Sequence, residues 1–382
     1  MRKKYDVTIV GAGPAGSSCA LALRKSGLNV ALLDKSYFPR YKCCGDAIPT
    51  LSLRYLAEIR AEAVEDFEAF SAKHQIYSGL LYPSSGGSLQ IDWQLKAYNS
   101  VRLDFDNFLL EQVKKHSSTN LHQGFALKQI TRNGEGFLLK SKKGDEVLQT
   151  KFLVGCDGAN SIVLRLLREN QSEETDTAVA LSAIYQNVDA PQKANECYFI
   201  EKTTGYFWII PVANGFFNAG YGELCEAGTQ KQRLKQKFED IITTHPLIKE
   251  RFKTAKQASK LRGHKLPLGG KRPAISGEGF LLAGDAANLI DPLSGHGIDK
   301  AIKSGRIAAE QIEGAFQKLD FSADSLSQYD QKIYESFLPE LKRSFRIMKF
   351  FHRFPKATNL MFKLMRLANA FKAKKQFHNT AA

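Results

Sequence analysis

The segment Gly11-Ala12-Gly13-Pro14-Ala15-Gly16 constrains this chain more than any other, because of what stands on either side of it. Val7, Thr8, Ile9 and Val10 form a β-branched run that reads as a buried strand. Gly11 allows a tight turn after the strand, Gly13 has no side chain to obstruct a pyrophosphate, and Gly16 lets the next helix pack close. The spacing predicts that helix from Pro14 to Lys25, with its first N–H groups aimed at phosphate. A second apolar run, Asn29 to Leu33, ends in Asp34. That acid lies near the roughly 20-residue offset at which a carboxylate meets a ribose hydroxyl. A dinucleotide-binding unit therefore opens the chain.

Far along the sequence, Phe280 to Ala283 reads as another strand, delivering Gly284-Asp285. Pro292-Leu293-Ser294-Gly295-His296-Gly297 then leads into a helix expected over Ile298 to Glu310. Asp285 can bond a sugar hydroxyl beside the pyrophosphate. Gly295 and Gly297 free backbone N–H groups at a helix start, where negative charge is stabilised by about 0.3–2 kcal/mol. The electron-rich edge of a reduced isoalloxazine ring suits that end; a simple loop with a capped helix is the other reading. The two glycine segments together imply one long cofactor held from both ends.

Three hundred and eighty-two residues allow two or three domains, and 43% hydrophobic with 24% charged residues describes a soluble globular chain. No apolar stretch is long enough to span a membrane. The basic start runs straight into the phosphate turn, so a cytoplasmic location is expected. Six cysteines without paired zinc spacing point to a reducing compartment and no metal site. The fold class expected is α/β: a Rossmann-type domain with an inserted antiparallel β-sheet substrate domain and a helical C-terminal region. The nucleotide-binding unit is read as discontinuous, over 1–75, 100–165 and 265–315. It takes in a helix after Val101, the runs Phe125 to Ile130 and Phe137 to Lys140, and a strand at Phe152 to Val154. Strand formers at Ala178 to Gln186, Glu196 to Ile200 and Tyr206 to Pro211 place the substrate domain at 76–99 and 166–264. Residues 316–382 are read as helical.

GAGPAG with Asp34, the segment Cys156-Asp157-Gly158-Ala159-Asn160-Ser161, and Gly284 to Gly297 resemble the three FAD fingerprints of the p-hydroxybenzoate-hydroxylase-type flavoproteins. The resemblance covers nearly the first 310 residues. It implies FAD as cofactor and places Arg102 and Ala126 near its adenine and pyrophosphate half, with Asp285 on the ribitol side. Pro14, Ala15, Lys35, Gly45, Asp157, Gly158 and Ile298 join the glycines as expected cofactor contacts. Arg102 is also readable as an ordinary surface charge.

Two further motifs narrow the branch. Pro39-Arg40-Tyr41-Lys42-Cys43-Cys44-Gly45-Asp46 and Tyr206-Phe207-Trp208-Ile209-Ile210-Pro211, followed by Gly220-Tyr221-Gly222, resemble signatures of geranylgeranyl reductases. Those enzymes use reduced FAD to saturate isoprenoid double bonds. Asp46 replaces the motif's last glycine, Ile210 a phenylalanine, and His296 a residue that is commonly an acid or glutamine. Tyr206, Trp208 and Ile210 alternate along one strand and so face one way, suiting a flat ring, a greasy chain or a plain sheet core. Pro211, Gly220 and Gly222 complete the expected substrate wall. Cys44 follows Arg40 and Lys42, which could favour a thiolate or anchor phosphate; a small residue packed beside the flavin is equally readable. Cys44 and His296 are the candidate catalytic residues, and Cys43 is read as incidental.

Net charge is +15, and eleven of the cations lie between Leu341 and Ala382, where no acid occurs. Lys342, Arg346, Lys349 and Arg353 fall on one helical face and Leu341, Phe345, Met348 and Phe351 on the other, with Pro355 ending the pattern. Such a helix either lies on an anionic membrane or packs on the body with its cations solvated. No nucleic-acid motif accompanies it.

The leading expectation is an FAD-dependent reductase acting on carbon–carbon double bonds of a prenyl-type substrate. NAD(P)H or another external donor would reduce it, without a second nucleotide fold. The alternatives are a flavin monooxygenase or halogenase on an aromatic substrate, and a non-catalytic membrane-surface flavoprotein; halogenases need an active-site lysine, for which Lys73 is a poor candidate.

Overall fold

The computed structural model describes residues 3–84, 86–142, 146–167, 176–201, 203–225, 231–354, 356–357 and 359–365. Pro355 and the basic stretch after residue 365 lie outside them.

The β-branched run after Tyr5 forms the strand Lys3–Val10, buried on both faces from Val7 onward, as a central parallel strand must be. Val30–Asp34 pairs parallel on one side and Val147–Gly155 on the other. Asn120–Gln123 and Phe280–Leu282 extend the parallel order outward. The hairpin Leu127–Asn133 and Gly136–Ser141 adds to the Val147–Gly155 strand, and the short Ser276–Gly277 pairs antiparallel with Phe280–Leu282, completing an eight-stranded sheet.

Helices Pro14–Ala22, Arg102–His116 and Ile298–Lys318 belong to this unit. The first ends three residues before the expected point and tightens into a 3-10 turn, Leu23–Lys25. The last runs well past Glu310 because its apolar stripe, from Ile302 to Ala315, stays buried throughout. These two helices cross closely: a Cβ on Gly305 would lie 2.2 Å from the carbonyl oxygen of Ala15.

The second sheet has nine strands and is antiparallel except where Ala194–Phe199 runs parallel to His74–Tyr82. From its outer edge it proceeds through Thr177–Gln186, Phe217–Leu224, Tyr206–Pro211, Ala194–Phe199, His74–Tyr82 and Leu89–Asn99. Two of its strands, Ala47–Ile48 and part of Arg262–Pro267, come from stretches read in the sequence as nucleotide-binding unit. Alternation gives it two distinct faces. Phe207, Ile209 and Tyr221 bury into a rear core with Phe238 from helix Lys231–Thr244. Trp208 and Ile210 pack with Ala180 on the opposite face, toward the first sheet.

One helix, Ala323–Arg353, dominates the C-terminal region, capped by Ser322, whose side chain accepts from the Ser325 amide. Its apolar face packs on the body: Leu341 and Met348 are buried. Phe350 and Phe354, between the cations, stay exposed. The architecture is the mixed α/β arrangement expected: a Rossmann-type unit, an inserted sheet and a helical C-terminal region.

Candidate active site

One cavity of about 1510 Å³ runs between the two sheets and reaches both glycine segments. That is larger than the roughly 300–1,000 Å³ of a typical single-ligand pocket, so it has room for a cofactor and a further molecule.

At the first glycine turn the three glycines divide their roles. Gly11 sits at φ +104°, and a Cβ there would lie 2.4 Å from the Cys156 carbonyl oxygen. Gly16 is equally closed, since its Cβ would come within 1.8 Å of Gly11 O; it packs helix on strand and does not border the cavity. Gly13 alone is open, its nearest obstacle being Nη2 of Arg40 at 3.5 Å. Gly13 begins the helix Pro14–Ala22, so the free N–H end of that helix fronts the cavity with Pro14 and Ala15. An open backbone at a helix start fits the pyrophosphate of a dinucleotide.

Asp34, at the end of its strand, accepts from the Ala12 amide at 3.0 Å and the Ser36 amide at 2.8 Å. It therefore braces the glycine turn as well as bordering the cavity beside Lys35. Arg40 lies 3.8 Å from Asp34 and 3.0 Å from the fully buried Asp106. Asp106 in turn receives two bonds from Arg102, at 2.6 and 2.8 Å. Arg102 is thus a buried, paired side chain on the cavity wall and not a surface charge. Burial works against its charge, but Asp106 outweighs that and raises its pKa above the ordinary arginine value. The Asp106 and Arg40 links of this chain carried no signal in the sequence.

Ala126 and Gly158 also border the cavity. Asp157 does so too, but its oxygens are engaged in capping helix Ile162–Leu167, accepting from Ser161 Oγ, Ile162 N and Val163 N at 2.6, 2.6 and 3.1 Å.

At the far end, Gly284 does not border the cavity. It has φ +64°, and a Cβ there would meet Ala15 and Ala301 at 3.1 and 3.3 Å, so it serves helix packing. Asp285, Gly295, His296, Gly297 and Ile298 all line the cavity. Asp291 shapes their loop, accepting from the amides of Leu293 and Ser294 at 3.0 and 2.8 Å. His296 shows free surface toward the lumen yet has protein around it. That enclosure lowers its imidazole pKa, keeping the ring neutral near pH 7.

Between the two ends lies the loop Tyr41 to Asp46. Lys42 Nζ donates to His264 Nε2 at 2.8 Å, bridging the loop to the second sheet. Burial depresses both, His264 to about 4, so the imidazole is the acceptor. The Cys44 carbonyl accepts from Ser182 Oγ at 3.2 Å and Asn218 Nδ2 at 2.7 Å. The thiolate expectation for Cys44 is not met: burial raises its pKa, and the cation beside it is Arg102 rather than Arg40 or Lys42. Cys43 packs against Ser182 and donates to the Arg262 carbonyl, and both cysteines are free.

The aromatic strand closes the cavity. Tyr206, Trp208 and Ile210 line it, and Gly45 presses on the last two, its Cβ position lying 3.6 Å from Trp208 Nε1. Gly222 also lines it. Gly220 lies beneath the indole, where a Cβ would fall 2.0 Å from Cζ2, and Pro211 is turned away, its carbonyl accepting from Asn99. Beyond Trp208 the lining continues through Cys197 and Phe199 to Phe351, Phe362 and Met365. Lys73 is elsewhere, donating to the carbonyls of Glu68 and Phe70.

Residues 4–312 match the family model described as FAD binding domain. The menaquinone reductase of Mycobacterium tuberculosis is 29% identical, over 81% of this chain and 76% of its own length. The digeranylgeranylglycerophospholipid reductase of Methanocella arvoryzae is 28% identical, over 91% and 87%. Among solved structures, a geranylgeranyl bacteriochlorophyll reductase-like protein from Thermoplasma acidophilum superposes with a TM-score of 0.81 at 23% identity, over 92% of this chain and 88% of its own. A point mutant of halogenase PltM in complex with FAD superposes with a TM-score of 0.72 at 20% identity, over 87% and 74%.

Proposed function

The chain belongs to the FAD binding domain family and is an FAD-dependent oxidoreductase; on that premise we propose that it reduces carbon–carbon double bonds of a prenyl-type, lipophilic substrate. The observation that carries this reading is the continuity of the cavity. The second glycine loop opens onto the face of Tyr206, Trp208 and Ile210, and from there onto an apolar end lined by Phe199, Phe351 and Phe362. Such an end accepts a hydrocarbon chain, and His352 and Lys356 on the same lining can meet a polar head group. Menaquinone and digeranylgeranylglycerophospholipid, for which the relatives are named, both carry isoprenoid chains.

Gly13 and the helix start behind it would hold the pyrophosphate, Asp34 the adenosine side, and Asp285 with Gly295 and Gly297 the far end. When bound, FAD supplies hydride chemistry, recharged by NAD(P)H or another external donor. The chain's own residues orient the substrate, exclude water and carry the proton. Trp208 and Ile210 form the flat apolar side against which an alkene lies. His296, neutral and open to the lumen, and Cys44, held as a thiol, are the proton-bearing groups we assign to this step.

The mouth beyond Phe362 is the proposed point of peripheral membrane contact. Phe350, Phe354, Leu360 and Leu364 are exposed there among the cations of the last helices. No helix among the described residues is long and apolar enough to cross a membrane.

Anaerobic reduction of the enzyme followed by mixing with prenyl lipids tests the assignment. Reoxidation of the flavin with formation of a saturated chain supports it. Reoxidation only by oxygen in the presence of an aromatic acceptor, with a hydroxylated or halogenated product, replaces it with the monooxygenase or halogenase reading. That reading would have to do without Lys73, which is tied to backbone carbonyls outside the cavity. Binding of FAD and lipid with no turnover of any acceptor would leave a non-catalytic flavoprotein.

A further inference from the structure

Asp46 stands where the resembling motif has glycine, and the backbone there explains the vacancy of side chain: its φ is +64°. A carboxylate in that conformation is tolerated, since aspartate and asparagine enter the left-handed region more readily than most residues. This one is 2% exposed, so its presence needs an account.

Both oxygens are used. Oδ1 accepts from the Arg102 amide at 3.1 Å, and Oδ2 from Asn218 Nδ2 at 2.6 Å. Asn218 hands the constraint on. Its Nδ2 also donates to the Cys44 carbonyl at 2.7 Å, and its Oδ1 accepts the indole N–H of Trp208 at 2.9 Å. The amide orientation is dictated by these partners. Trp208 Nε1 can only donate and the Cys44 carbonyl can only accept, so a flipped amide would lose both bonds.

We propose that Asp46 is a positioning residue: acting through Asn218, its carboxylate fixes the Trp208 indole against Gly45 and so sets the shape of the substrate wall. Asp46 borders the cavity, but its carboxyl oxygens are taken up by the Arg102 amide and Asn218. Its role deepens the reductase reading and rests on it only where the wall is said to receive substrate.

The arrangement is sensitive to protonation. Both neighbours of the carboxylate are donors, which suits the anion, whereas burial opposes the charge and lifts the acid to about 7. A protonated Asp46 must give one oxygen as a donor. Asn218 then turns its own oxygen toward that O–H and releases the indole. The charged and titratable groups facing Asp46 are Arg102 and Asp106 on the helix, and Tyr41, Cys43 and Cys44 on the loop. Burial raises the two thiols above their ordinary value and holds Tyr41 at about 12; Arg102 and Asp106 form the buried ion pair.

The chain has two tryptophans, so Trp93→Phe leaves Trp208 as a single probe. With 5-fluorotryptophan incorporated into the full-length, FAD-loaded protein, the ¹⁹F resonance of Trp208 is followed from pH 5.5 to 8.5. A shift with a midpoint near neutrality is expected, abolished by Asp46→Asn and by Asn218→Ala. Asp46→Gly, which fits the positive φ without strain, provides the same test should Asp46→Asn fold poorly. Loss of the anchor is also expected to raise KM for a prenyl acceptor about five-fold, the worth of one buried hydrogen bond, with kcat little changed. A Trp208 resonance that is identical in shift and pH response with and without the Asp46 carboxylate overturns the proposal, whatever the substrate proves to be. A moved resonance with no prenyl turnover leaves Asp46 as positioner and removes the reductase reading instead.

Discussion

The hydroxyl of Tyr206 donates to the Ser294 carbonyl at 2.7 Å, tying a central strand of the second sheet to the glycine loop of the first domain. Removing that hydroxyl by Tyr206→Phe keeps the ring and its contact with Trp208 but unties the loop. A typical bond of this kind contributes about 0.5–1.5 kcal/mol. The expected result is a loss of that order in unfolding free energy, measured with denaturant, together with faster release of flavin on dilution. Unaltered flavin retention would mean that Gly295 and Gly297 are held in place without the sheet.

The glycines of the first turn should separate cleanly under substitution. Gly16→Ala forces a methyl to within 1.8 Å of backbone oxygen and is expected to cost more than the 1–3 kcal/mol typical of overpacking, seen as aggregation or a much lower Tm. Gly13→Ala meets only the tip of Arg40 at 3.5 Å, so its fold should survive. Its FAD affinity should not, because the methyl occupies the one open approach to the helix start. Equilibrium titration of the two apoproteins with FAD checks the contrast.

Asp46 also makes stability depend on pH in an unusual direction for a carboxyl group. Its folded pKa, about 7, lies above the ordinary 3.8, so the folded state holds a proton that the unfolded state has released. Its stabilising contribution is complete below about 3.8 and is lost as pH rises through 7. Urea unfolding at several pH values should therefore find wild type losing stability relative to Asp46→Asn between pH 4 and 8. A parallel pair of curves would show that the carboxyl is ionised throughout.

Vesicles carrying anionic lipid should bind the full chain, with roughly 1 kcal/mol contributed by each cation close to the surface. Replacing Phe350 and Phe354 by serine should weaken co-sedimentation, and raised salt should weaken it further. The variant's FAD spectrum should be unchanged, since neither side chain lines the cavity. Equal binding by wild type and the double variant would locate membrane contact elsewhere or nowhere.

Local pattern made much of this molecule legible. Val7 to Val10, the glycine spacing and Asp34 lie within one strand–turn–helix unit, so their roles follow from short-range geometry. Tyr206, Trp208 and Ile210 were readable for the same reason, because a strand alternates. What stayed hidden depends on partners distant in sequence. His264 sits in an unremarkable strand and gains meaning only when Lys42 arrives, 222 positions away in the chain. Asp106 reads as one more helical acid until Arg40 and Arg102 converge on it. The cations before Cys44 suggested an activated thiol, but burial, which no local pattern reports, runs the other way.

The Cys44 carbonyl is held by Ser182 and Asn218, residues 138 and 174 positions further along the chain. A ribosome therefore releases the first glycine turn long before the middle of the site can take shape. Contacts of such separation form late, after the entropy of closing the long intervening loop has been met. Flavin capture is thus expected to mark the end of assembly, with stable yellow colour appearing only once the inserted sheet has docked.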